Sequence, residues 1–148
     1  MTRQHINAKI YGGESTVTNL SIFENGITAV KWAEQYPLGA YWRIEEITYG
    51  SVDEYGDVIP GGGRVVLQLR PYEVLKRTDK GARIADYRPK GRWIANAWNK
   101  HWACATIDEA VASFRARKCR QIAIYKGRIS VAEAALRKLE GDPCNALG

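Results

Sequence analysis

Arg115, Arg117, Lys118 and Arg120 place four cations in six consecutive positions of the run CATIDEAVASFRARKCRQI, residues 104–122. A guanidinium donates two parallel hydrogen bonds to phosphate oxygens and stays charged at any physiological pH, so this cluster is chemistry for holding an anion. Cations late in a helix also oppose the macrodipole favourably, at roughly 0.3–1 kcal/mol each, and helix stability accounts for part of the cluster. Three arginines and a lysine with few acids nearby exceed that need. A second group lies just upstream. If Asn99-Lys100 is a two-residue hairpin loop, one face carries Trp93, Ala95, Ala97, Trp102 and Cys104 and reads as core. The other shows Arg92, Ile94, Asn96, Trp98 and His101, where cation, amide and indole together can hold a phosphate and stack on a base.

Catalytic patterns are missing from the sequence. His5 and His101 stand alone, no HExxH occurs, and neither "HIN" nor "HWA" puts a Ser or Thr two residues from the histidine, as two-histidine phosphoesterases require. Neither GxSxG nor GxxxxGK[ST] is present. Adjacent Glu45 and Glu46 would point to opposite faces of a strand and so could not flank one bond as acid and base. "GGGR" at 61–64 could cradle a phosphate, but three successive glycines suit a flexible connector better. A non-enzymatic role with no metal and no cofactor is expected.

These groups need a frame. "HINAKIY" and "STVTNLSIF" read as a hairpin of strands, Asn25-Gly26 as a turn, and Ala29, Val30, Ala33 and Tyr36 as a short helix ending at Pro37. "YWRIEEITYGSV" reads as a strand whose alternation leaves the buried side open. "DEYGDVIPGGG", 53–63, reads as a mobile loop. The runs "RVVLQL", "YEVLKR", "ARIADY", "RWIANAW" and "HWACA", separated by turn residues, predict an antiparallel meander. Two capping boxes, Thr106–Glu109 and Ser130–Glu133, then predict two C-terminal helices separated at Gly127. The first carries Ile107, Ala110, Val111, Phe114, Ile122 and Tyr125; the second carries Val131, Ala135 and Leu139, a stripe that could form a twofold contact between copies. The fold class is α+β, an antiparallel sheet with two C-terminal helices on one face or end and a short N-terminal helix.

At 148 residues the chain is expected to form one domain with a real core. Its net charge of +6 is polarised: residues 1–63 hold four cations and eight anions, while residues 64–148 hold eighteen cations and eight anions. The acidic part, 1–63, could form a semi-independent lobe, and the basic part, 64–148, is expected to meet something negative. Cys104, Cys119 and Cys144 show neither a disulfide framework nor zinc spacing and read as reduced thiols of a cytoplasmic protein. No stretch approaches the ~18 apolar residues of a membrane span.

The run YEVLKRTDKGARIADYRPKGRWIANAWNKHWACATIDEAVASFRARKCRQIAIYKG, about residues 72–127, resembles a recurring pattern of small phage proteins: an "RT-KG" strand end, a "W-I" strand, a strand with an aromatic residue before Ala, and a "T--EA--SF--RK-RQI" helix. Among these it looks most like the first-described family of anti-Thoeris proteins. The resemblance implies a small α+β homo-oligomer that sequesters a cyclic ADP-ribose-type signal, or a cyclic oligonucleotide, without cleaving it, in the host cytoplasm. The ligand-binding residues it suggests are Arg92, Asn96, Trp98 or Trp102, Arg115 and Arg117; Lys118, within the same cation cluster, joins the candidates. A single-stranded nucleic-acid binder, or an inhibitor docking on a host protein through the acidic half, are the alternative readings.

Overall fold

The computed structural model describes residues 19–50, 52–56, 59 and 63–140. The element order is a 3₁₀ turn at Leu20–Ile22, α1 (Gly26–Ala33), β1 (Ala40–Tyr49), β2 (Arg64–Thr78), β3 (Gly81–Ile84), β4 (Arg92–Ala95) and α2 (Ile107–Glu140). The four strands form an antiparallel meander in the order β1-β2-β3-β4. The chain forms two compact units, residues 1–114 and 115–148, so α2 starts in the first and makes up the described part of the second.

The longest ladder joins β1 to β2 over ten residue pairs, from Ala40↔Glu73 to Tyr49↔Arg64, and spans the point where the sequence changes from acidic to basic. "RVVLQL" and "YEVLKR" prove to be one strand of 15 residues that runs straight through Pro71. Proline is tolerated because Trp42, its partner, turns its own backbone outward, bonding Cys104 both ways at 2.7 and 2.8 Å, so the position opposite owes no N–H to the ladder. Two residues on, the backbone of Leu69 likewise faces away from β1. There the Asn25 side chain bonds it twice, Nδ2 donating to Leu69 O at 3.0 Å and Oδ1 accepting from Leu69 N–H at 2.9 Å. The Glu24 N–H adds a bond to Leu67 O at 2.9 Å, and the entry to α1 thus covers a sheet edge that would otherwise be open.

A bulge between Val74 and Lys76 marks where β2 leaves β1 and takes β3 as partner. Bulges bend and twist a strand, and here the sheet curls. Trp42, Ile44 and Leu69 pack on one face with Phe23, Ala29, Val30, Ile107 and Ala110. The other face closes on a second cluster of Tyr41, Val74, Ala82, Ile84, Ile94 and Ala103, flanked by Tyr72 and Trp102. The Asp79-Lys80 turn joins β2 to β3 as expected, and Gly91 (φ 69°) ends the turn before β4, where a Cβ would overlap Ile84 O.

Several expectations are corrected. The hairpin at Asn99-Lys100 does not form: β4 stops at Ala95, and residues 101–105 cross to the opposite edge of the sheet, where Cys104 makes an isolated bridge with Trp42. Buried Ala103 and Cys104 gain more by filling the two clusters than by lining an exposed fifth strand. In β4 the faces are exchanged, because Ala82↔Ile94 and Ile84↔Arg92 put Ile94 inward, leaving Ala97 exposed. The expected first strand lies outside the described residues, as does the start of the second. The rest of the second is instead the 3₁₀ turn, fixed by Asn19 Oδ1 accepting from the Ser21 N–H (3.0 Å) and hydroxyl (2.7 Å). Of the loop 53–63, Asp53–Gly56 form a turn closed by Gly56 N–H on Asp53 O at 3.1 Å, while 57–58 and 60–62 lie outside the described residues.

The two C-terminal helices are one helix of 34 residues. The Thr106 hydroxyl caps its start, accepting from the Glu109 N–H at 3.2 Å. Gly127 does not break it: one glycine costs about 1 kcal/mol, less than ending a helix and nucleating another beside it. Cys104 is buried and Cys119 exposed, and the two form no disulfide with each other; Cys144 lies outside the described residues. Among the described residues no helix is long and apolar enough to cross a membrane.

Candidate anion-binding site

The curl brings the first and last strands onto one indole. Arg43 of β1 sets its guanidinium carbon 4.7 Å from the Trp102 ring centroid, and Arg92 of β4 sets its own at 4.1 Å. Tyr72 of β2 meets the same ring edge-on at 4.8 Å. Trp102 is held in turn by its carbonyl, which accepts from Arg43 Nη1 at 2.5 Å. Each cation–indole contact contributes about 0.5–2 kcal/mol according to its exposure, enough to fix long side chains that would otherwise be mobile.

Alternation along β1 and β2 places the neighbours. Arg43 pairs in register with Arg70 and Tyr41 with Tyr72, so these side chains and Glu45 share one face. Two arginines directly opposite repel, and the local acids relieve the repulsion unevenly. Glu45 takes Arg70 at 3.0 Å and also accepts the Tyr72 hydroxyl at 3.3 Å. Burial and then the Glu45 carboxylate push the Tyr72 phenol up from its ordinary value, with Arg43 and Arg70 opposing. Asp86, its side chain only 1% exposed, takes Arg92 at 3.0 Å. Burial alone would raise its carboxyl pKa. The Arg88 N–H, donating at 2.9 Å, and the Arg92 guanidinium outweigh that and hold the value below the usual carboxylate range.

Arg43 is the exception. It is half-buried, stacked and carbonyl-bonded, yet has no carboxylate partner among the described residues. A desolvated cation facing another cation across the strands is the arrangement that an added anion improves.

Of the residues singled out in the sequence, Arg92 and Trp102 meet here. Asn96 Nδ2 donates to Asp79 O at 3.0 Å and ties the end of β4 to the β2–β3 turn. Trp98 is 53% exposed and makes no ring or cation stack among the described residues. Arg115, Arg117 and Lys118 belong to the second unit, where Arg115 is exposed, Arg117 half-buried and Lys118 donates to Gln121 Oε1 at 2.9 Å. Sequence reading missed Arg43, Arg70, Tyr72 and Asp86. The alternation of YWRIEEITY did put Tyr41, Arg43 and Glu45 on one side, but it could not say that Trp102 would come to meet them. Glu45 and Glu46 diverge as expected: Glu45 binds Arg70, and Glu46 is exposed. Among the described residues no group of three or more His, Cys, Asp or Glu could hold a metal ion. No protein-family model, curated protein or solved structure matches this chain.

Proposed function

We propose that this protein is a non-catalytic binder of a phosphate-bearing nucleotide, taken up on the Trp102 face of the curled sheet. The observation that carries the reading is Arg43, a half-buried guanidinium without a carboxylate partner among the described residues, opposite Arg70 and stacked on Trp102. The Arg43 donors without a partner among the described residues take the phosphate, Arg70 adds charge, and Arg92 with Tyr72 holds the indole in place. With the likeness of residues 72–127 to anti-Thoeris proteins, the ligand class is a cyclic nucleotide-type immune signal, a cyclic ADP-ribose isomer or a cyclic oligonucleotide. Sequestering such a signal in an infected cell calls for slow release rather than turnover.

The exposed cations of α2, among them Arg115, Arg120, Arg128, Arg137 and Lys138, favour a second reading, a sequence-tolerant binder of single-stranded nucleic acid. Thermal denaturation with cyclic ADP-ribose, a cyclic dinucleotide and a short oligodeoxythymidylate, each at two salt concentrations, separates the two. The proposal expects a cyclic nucleotide to stabilise the protein, by about 2.7 kcal/mol at a hundredfold excess over Kd. Its salt dependence should be shallow, and Arg43→Gln should remove it. Stabilisation by the oligonucleotide alone, with affinity falling about 0.7 log units per neutralised phosphate for each log unit of salt, overturns it.

A further inference from the structure

Continuity of α2 through Gly127 creates a pattern that two separate helices would not have. Ile122, Tyr125, Ile129, Ala132, Leu136 and Leu139 follow one another at spacings of three, four, three, four and three, the a and d positions of a heptad repeat. All are exposed: Ile122 by 51%, Tyr125 by 50%, Ile129 by 57%, Leu136 by 37% and Leu139 by 78%, with Ala132 also in the exposed class. At about 100° per residue they fall within a stripe roughly 100° wide. The stripe has a defined start, because the preceding a and d positions are Arg115 and Lys118. Gly127, the f position, lies on the opposite side with nothing near it.

We infer that this stripe is the seam of a parallel, two-stranded coiled coil with a second copy of the chain. Three features select that occupant. Two of the three a positions, Ile122 and Ile129, are β-branched, the type that with Leu at d, as at Leu139, favours two strands in a parallel coiled coil. The flanking positions are complementary in the same arrangement: Arg128 at g faces Glu133 of the other copy at the following e position, and twofold symmetry makes the pair twice. Lys126, the preceding e, meets the uncharged Gln121 at g, so no like charges oppose each other along the seam. An antiparallel dimer sets e against e and g against g and loses the Arg128–Glu133 match. The stripe shares only Leu139 with the Val131, Ala135 and Leu139 face expected from the sequence, because Val131 lies about 180° from Ile122 on the continuous helix. Two and a half heptads with Tyr125 and Ala132 at d make a short seam, so the association is in the micromolar range.

Sedimentation equilibrium of the full chain from about 1 to 200 µM tests this. The wild type is expected to pass from monomer to dimer, and Ile129→Asp, a change at an exposed site, to stay monomeric with an unchanged near-ultraviolet spectrum from the tryptophans. Arg128→Glu and Glu133→Arg are each expected to weaken the dimer roughly tenfold, and the double exchange to restore it. A wild type that is monomeric throughout overturns the inference. So does a dimer that Ile129→Asp leaves intact. Weakening by both single exchanges without rescue overturns the parallel orientation.

Discussion

Arg92 shows how a candidate ligand residue can be recognised from sequence while its partner within the fold is not. Its type and its place beside tryptophans were legible, but its charge is spent on Asp86, nearly all of whose side chain is buried. The acid has a testable signature. Its folded pKa lies below the unfolded value of about 4, so its contribution is fully present above pH 4 and is lost as the pH falls through the depressed folded value. Asp86→Asn should therefore be less stable than the wild type at pH 7 in urea denaturation, and the difference should shrink below pH 4; a difference constant from pH 7 to pH 3 would contradict the assignment. Arg43 behaves oppositely. It was not legible because half of its surroundings, Trp102, comes from a segment 59 residues away that sequence reading had paired with β4. Replacing it with Gln removes one hydrogen bond to a carbonyl and an indole stack, so stability should fall by only about 1–2 kcal/mol while anion binding is lost.

At the scale of elements, local signals held where the chain satisfies itself locally. The Asp79-Lys80 turn, the helix of Ala29, Val30 and Ala33, which stops at Ala33 rather than reaching Tyr36 as expected, and the Thr106 cap are all set by residues within a few positions of one another. The readings that failed concern competition between distant partners: residues 101–105 had a plausible neighbour in β4 and a better one at Trp42. Asn25 is the long-range contact most open to measurement. Asn25→Ala leaves the N–H and C=O of Leu69 without partners at a partly buried edge and should cost about 1–3 kcal/mol in chemical denaturation, whereas an exposed asparagine would cost a few tenths. Gly127 gives the opposite sign. A methyl group there meets open space within a continuous helix, so Gly127→Ala should raise helicity at 222 nm and add up to about 1 kcal/mol to the stability of the helix; a loss would mean that the helix needs a break there.

On the scale of the whole molecule, the charge polarity visible in the sequence is partly resolved inside the fold, since the β1–β2 ladder brings Glu45 of the acidic part to Arg70 of the basic part. The two compact units differ in how they are held. Trp42, Leu69 and Ile94 are buried in the first, while α2 beyond Lys118 has almost no buried side chain. Hydrogen exchange of the Ile129→Asp variant should accordingly show amides of β1 and β2 opening near the global free energy and those of residues 122–139 opening several kcal/mol below it. Uniform protection would contradict the division. The account as a whole depends on Arg43 and Trp102 acting together on an anion. The most direct measurement is a nuclear magnetic resonance titration with cyclic ADP-ribose, following the Trp102 indole N–H and the Arg43 Nε–H. The account predicts that both move together, saturate at one ligand per chain and stop responding in Arg43→Gln. Shifts confined to residues 115–138, or no saturable shift with cyclic ADP-ribose or a cyclic dinucleotide, would contradict it.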